Sequence, residues 1–337
     1  MSSDDLENLP GVGPATSDKL VNSGYGSFEE IAVESPSVLA NEADIGESTA
    51  QKAVQGAREE ADLGGFETGV EVLERINEIT TGVDDVDELL GGGVETNSMT
   101  EIYGEFGSGK SQLSHQLCVM TQLPPDSGGL GQEVIFIDTE DTFRPNRIEG
   151  MVEGLSDEHK QAMMRRFDID GDVMDENVVQ EIKQNVLDGI SIAKAYNSSH
   201  QILMGDKTKE QAKGMEADVG LLIVDSLTAH FRAEYVGRGE LAERQQKLNK
   251  HISSLKEFAE LNEAAIFVTN QVSADPDSYF GDPTTAIGGN ILAHHSTVRL
   301  YLKKSKGTKR IIRLEDSPDQ PTGEAVMRIE NEGIKPE

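Results

Sequence analysis

The run Gly104, Glu105, Phe106, Gly107, Ser108, Gly109, Lys110 and Ser111 spaces glycines, a lysine and a hydroxyl as triphosphate binding requires. The glycines let backbone N–H groups wrap phosphate oxygens, Lys110 reaches the β- and γ-phosphates, and the Ser111 hydroxyl suits Mg²⁺. Thr100 to Tyr103 reads as a strand before the loop and Gln112 to Gln122 as a helix after it. A chance glycine-rich turn would lack that context. Leu221 to Asp225 is the companion, a buried strand whose terminal acid holds the Mg²⁺ shell. A third strand end, Ile137 to Glu140, brings a carboxylate to the same edge. In-line attack on the γ-phosphate needs a positioned water, and Glu140 is the candidate to orient or deprotonate it, with Asp138 and Asp141 as flanking acids. Asn270 and Gln271 close a fourth strand and offer neutral amides that sense the γ-phosphate; a plain surface turn is the alternative reading. Lys110, Glu140 and Gln271 are thus the expected catalytic set.

Two further segments carry side chains suited to nucleic acid. Ser273 to Ala286 lacks apolar periodicity and leads into Gly288, Gly289 and Asn290. A polar loop of that length inside a compact domain is usually functional or disordered. Its Tyr279 and Phe280 rings can stack on bases. Phe231 to Glu240 carries Arg232 and Arg238, suited to phosphates. Arg299, Lys303, Lys304, Lys306, Lys309, Arg310 and Arg313 form the densest basic run, either a solvated hairpin or part of a DNA-facing surface.

These groups need a scaffold that aligns strand ends. Glu133 to Ile137, Val219 to Val224 and Ala264 to Thr269 are short, nearly continuous apolar runs, as strands buried on both faces require. A long amphipathic helix bearing Leu241, Leu248, Ile252, Leu255 and Phe258 separates the last two. Strands alternating with helices predict a doubly wound, mainly parallel sheet with ligands at its C-terminal edge. Val298 to Leu302 and Arg310 to Leu314 predict a late hairpin. Residues 1–62 read instead as short helices around the glycine hairpin within Leu9 to Leu20, which resembles the helix-hairpin-helix module that grips DNA backbones; in so acidic a segment a tight helix–helix turn with no ligand is the alternative. Residues 63–80 form a linker in which Phe66 lacks a local core, and residues 81–337 form the α/β core.

The formal net charge is −31, with only 30 Lys and Arg residues, while hydrophobic content is an ordinary 36%. Disorder would deplete the apolar periodicity, and an acidic tail would concentrate the charge. Dispersed acid fits instead a surface kept hydrated in concentrated salt. The single cysteine, Cys118, excludes a disulfide framework and a cysteine metal site. No membrane span or secretory signal is evident, so the expected setting is the cytoplasm; the segments suited to nucleic acid add an expected association with the nucleoid.

The ordered motifs GEFGSGKS, FIDTEDTFRPNR, LLIVDS, RAEYVGRGEL, NQV, IGGNILAHHST and DSPDQPTGEA give the chain a resemblance to the RecA-class strand-exchange recombinases. It is most similar to the archaeal RadA proteins and their eukaryotic relatives, from Val12 to Gly333. The resemblance implies a RecA-like P-loop ATPase core and a small all-α N-terminal domain. It implies ATP and Mg²⁺ as ligands, with K⁺ as a further candidate. Protomers would stack into a helical filament or ring, on single-stranded DNA paired with homologous duplex, with recombination mediator proteins as candidate partners. By that resemblance Phe66 docks into an adjacent subunit, although Gly69 stands where relatives usually carry alanine. Arg147 would stack on adenine, and His294, next to an unusual second histidine, His295, would report the γ-phosphate. Asp316, Pro318 and Pro321 would cap the neighbour's nucleotide. Asp141 replaces the glycine common after the catalytic glutamate, adding a charge that could raise the pKa of Glu140 or help bind a cation. An accessory paralogue that only assists another recombinase, or a ring-forming RecA-fold motor, is the alternative.

Overall fold

Strands that are apolar at every position need cover on both faces, and the chain supplies it. The computed structural model describes residues 6–61, 66, 68–274, 284–286 and 290–337, and the chain divides into units Met1–Arg75 and Ile76–Glu337. The first is helical: α1 (Pro14–Asn22), α2 (Phe28–Ala32), α3 (Pro36–Glu42), α4 (Glu47–Glu60) and α5 (Gly69–Glu74). Ser27 and Glu30 close a capping box on α2, and Ser35 caps α3 just before Pro36. Leu20, Ile31, Leu39, Val54 and Ala57 share one core, which Leu9 and Val12 of the glycine hairpin join.

The second unit opens with β1 (Glu78–Ile79), α6 (Asp84–Leu90) and β2 (Val94–Glu95). Then follow β3 (Met99–Gly104), α7 (Lys110–Met120), β4 (Glu133–Asp138), α8 (Pro145–Glu153), α9 (Asp157–Phe167), α10 (Glu176–Asp188) and β5 (Ile190–Lys194). Next come α11 (Ser198–Asp206), α12 (Thr208–Lys213), β6 (Val219–Asp225), α13 (Ala229–Glu234), α14 (Leu241–Asn262), β7 (Ala265–Ala274) and β8 (Thr284–Ala286). The chain closes with α15 (Asn290–His295), β9 (Val298–Lys304), β10 (Lys309–Asp316), β11 (Gly323–Glu330) and β12 (Gly333–Pro336). Among the described residues the main sheet runs β12-β11-β10-β9-β3-β7-β6-β4-β5, with β8 paired to β7 off that path. From β9 to β5 every pairing is parallel; β9 to β12 are antiparallel.

Period-two alternation splits each central strand between two cores. Val134 and Phe136, Leu221 and Ile223, and Phe267 face α7, α8 and α10. Ile135 and Ile137, Leu222 and Val224, and Val268 face α14 through Leu248, Ile252, Leu255 and Phe258. Leu241 departs from the expected stripe: it is exposed at the first turn of α14, before that helix reaches the sheet. The basic hairpin is present as β9 and β10, with Ile312 opposite Leu302. The expected polar loop is shorter than its composition suggests, because β7 continues through Gln271 to Ala274 and pairs Val272 with Ala286 of β8. Phe231 to Glu240 is likewise partly ordered: Phe231 is buried in α13, and Arg238–Glu240 form a single 3-10 turn.

Candidate nucleotide site

Because β3, β7, β6 and β4 are adjacent and parallel, their C-terminal ends open on one edge. That edge gathers the phosphate loop after β3, Glu140 after β4, Asp225 at the end of β6 and Gln271 in β7. In the loop, Gly107 and Gly109 take φ values of +70° and +115°, which a side chain would resist. Lys110 is the first residue of α7, and its ammonium donates to the carbonyls of Gly104 at 2.9 Å and Glu105 at 3.1 Å. Burial pushes the pKa of Lys110 down, while Asp225 and Glu140 oppose that shift. Phe106 is exposed, whereas Ser108 is buried and its Oγ has no hydrogen-bond partner among the described residues.

The three acids at the β4 end divide their work. Asp138 is buried and accepts from the backbone N–H groups of Glu140 (3.2 Å), Thr142 (3.1 Å) and Phe143 (3.0 Å). It shapes the loop and has little left to offer a ligand. Asp141 turns to Lys194 at 2.5 Å, which holds its carboxyl below the usual range. Asp141 is thus engaged in an ion pair across to β5. Glu140 is exposed, and its Oε1 accepts from Ser226 Oγ at 2.8 Å and Gln271 Nε2 at 2.9 Å. Buried Asp225 accepts from Thr142 Oγ1 at 3.1 Å and from the Thr269 hydroxyl.

Gln271 and Asn270 part company. Asn270 is buried rather than set on a surface turn, with Oδ1 accepting from Thr228 Oγ1 at 2.6 Å and Nδ2 donating to Glu101 at 2.8 Å. Its side chain locks the sheet, so only Gln271 faces the carboxylate. Arg147 lies beside α7, donating to Gln112 Oε1 and to the carbonyls of Glu330 and Asn331 in the β11–β12 turn. His294 is exposed on α15. Asp316 pairs across the ladder with Arg299, so Asp316, Pro318 and Pro321 leave the sheet at the end opposite the phosphate loop. Arg232 is exposed on α13, Arg238 lies in the following turn, and Phe66 is fully exposed. Tyr279 and Phe280 lie outside the described residues.

Spacing did not single out Thr142, Thr269 and Ser226, whose hydroxyls fix the two key carboxylates, nor His115. That histidine is buried and stacked on Phe143 at 5.1 Å. Its Nε2 accepts the Arg144 N–H at 3.1 Å, so Nδ1 carries the proton that meets the Ser111 carbonyl. It rivets α7 to the loop that carries Glu140. The basic run is also less free than its composition suggests: Arg299 pairs with Glu101, Lys309 with Glu337 and Arg313 with Glu324.

A glycine cradle and, among the described residues, an ammonium held by loop carbonyls and a buried hydroxyl without a partner fit a triphosphate, and the Ser111 and Asp225 oxygens fit a hard cation. Among the described residues no helix is long and apolar enough to cross a membrane. The Rad51 family model matches residues 73–337, and the SAM-like helix-hairpin-helix tandem matches residues 3–59. Over the full length of both chains, the sequence is 60% identical to the DNA repair and recombination protein RadA of Haloferax volcanii and 57% identical to that of Haloquadratum walsbyi. The same-named protein of Methanoculleus marisnigri is 48% identical, again over both full lengths. The dispersed acidity thus accompanies a likeness to haloarchaeal proteins, and the chain belongs to the Rad51 family, with the archaeal RadA proteins.

Proposed function

We propose that the chain is an ATP-dependent DNA recombinase that forms filaments on single-stranded DNA and promotes homologous pairing and strand exchange. One observation carries the coupling of ATP to DNA. Gln271 donates to Glu140 and stands in the strand that leads directly into the segment bearing Tyr279 and Phe280. A shift of that segment on DNA would move a hydrogen bond on the hydrolytic carboxylate. In this reading Lys110 and the loop N–H groups bind the triphosphate, and Glu140 orients the attacking water through Oε2 while Ser226 and Gln271 hold Oε1. Ser111 and Asp225 would hold Mg²⁺, which supplies charge neutralisation at the phosphates. Arg147 serves the adenine, His294 the γ-phosphate signal, Arg232 and Arg238 the DNA backbone, and Asp316, Pro318 and Pro321 the next protomer's nucleotide.

The test is single-strand-stimulated ATP hydrolysis and strand exchange across a KCl series, with Lys110→Ala as the control that should lose both. A protein that hydrolyses ATP yet never pairs homologous strands would be a RecA-fold motor instead.

Assembly, in this reading, draws on an exposed ring and on a sheet edge that no described strand pairs. β5 ends the sheet, and beside it Ile135, Ile137, Ala193, Met204 and Thr208 line a cavity of about 410 Å³. Phe66 of a neighbouring copy, on the linker at residues 63–80, is its occupant in this proposal. Phe66→Ala should weaken self-association about 30-fold or more, the scale of losing a buried aromatic anchor. Light scattering of wild type and variant at matched concentration decides the point; identical masses throughout would dismiss Phe66 as the anchor.

A further inference from the structure

The β9–β10 turn lies at the phosphate-loop edge, because β9 runs parallel to β3 and Lys304 pairs with Arg310 across the hairpin. Two of its cations turn onto the loop. Arg310 Nε donates to the Ser108 carbonyl at 2.7 Å, while Nη1 donates to the carbonyls of Lys309 at 2.8 Å and Gly307 at 3.1 Å. One guanidinium therefore ties the phosphate loop to the turn through three carbonyls, a fork that a lysine cannot reproduce. Lys304 comes close to Gly107: a Cβ built there would lie 3.1 Å from Nζ and 3.5 Å from Cε. Its charge is near enough to add to the downward push on Lys110. Two ammonium groups beside one loop repel each other until an anion sits between them. Arg299, Lys309 and Arg313 of the same run are instead answered by acids.

We propose that the β9–β10 turn forms a wall of the nucleotide site, in which Lys304 gives the bound triphosphate a second cation and Arg310 is a positioning residue that braces the phosphate loop. The inference rests on the ATP reading above and adds a second source of charge from the same chain. It also means that whatever binds the outer face of the turn is mechanically joined, through Arg310, to nucleotide affinity.

The experiment is equilibrium binding of Mg-ATP and Mg-ADP to the full chain without DNA, with steady-state hydrolysis in parallel. Lys304→Ala should weaken ATP binding about three- to tenfold, the scale of one exposed charge contact, and raise KM by more than it lowers kcat. Lys304→Arg should recover most of that loss. Arg310→Lys should lose about tenfold or more, because the Ser108 carbonyl loses its fork. Wild-type ATP affinity in Lys304→Ala would overturn the inference. If wild type itself binds no ATP, the functional reading fails instead.

Discussion

Glu140→Gln should bind ATP within about twofold of wild type yet hydrolyse it about 10²- to 10⁴-fold more slowly, the range for loss of a general base. Glutamine keeps the size of the side chain and an oxygen that still accepts from Ser226 Oγ and Gln271 Nε2. Only the charge that draws a proton from the attacking water is gone. Asp138 cannot take over, since three backbone N–H groups occupy its carboxylate, and Asp141 is turned to Lys194. Single-turnover hydrolysis beside direct nucleotide binding measures the two halves separately. The variant should also stay on DNA longer, because the proposed coupling through Gln271 ties the DNA-bound arrangement to an ATP that is no longer consumed. A rate loss below about tenfold would demote Glu140 to a positioning role and leave water activation to the phosphates themselves.

The nucleotide edge was legible because its parts are local. The spacing from Gly104 to Ser111 encodes a backbone path, and strands apolar at every position announce a sheet covered on both faces. Asp225 then follows as the first acid past such a strand, and Glu140 as one of three acids clustered past another. What stayed hidden is made by partners distant in sequence: Thr142 and Thr269 on Asp225, His115 against Arg144, Arg310 against Ser108. None of these residue types is unusual where it stands, so only the strand order makes them neighbours. The same limit misread Asn270, whose place beside an amide suited to sensing concealed that it faces Glu101 inside the sheet. It also overstated the basic run. A count of lysines and arginines along the chain cannot show that Glu101, Glu324 and Glu337 lie opposite them. β5 went unseen for another reason: as an edge strand it buries Ile190 but alternates toward exposure, so it lacks the apolar run of its neighbours.

Glu101→Leu should destabilise the ATPase unit by about 3–5 kcal/mol, lowering its melting midpoint by about 6–20 °C. Glu101 is fully buried in β3, with Oε2 accepting Arg299 Nε at 2.9 Å and Oε1 accepting Asn270 Nδ2 at 2.8 Å. Removing it takes the direct ion-pair partner from a guanidinium held 5.2 Å over the Tyr103 ring, leaving Asp316 across the ladder as a weaker counter-charge, and costs buried Asn270 its bond to the carboxylate. Concentrated salt should not rescue the loss, since a buried pair is screened far less than an exposed one such as Lys19–Asp44. Adding Arg299→Met should restore more than half of the stability, because two apolar partners need no compensation. Function should follow stability here. Asn270 Oδ1 also accepts the Gln271 N–H at 2.8 Å, so an Asn270 that has lost its bond to Glu101 holds less firmly the residue that donates to Glu140. DNA-stimulated hydrolysis by the single variant, assayed well below its midpoint, should therefore fall further than DNA-independent hydrolysis. Melting curves of wild type, single and double variants decide the structural claim. A single variant that melts with wild type, or a double variant no more stable than the single, would mean that the pair does not hold β9, β3 and β7 together.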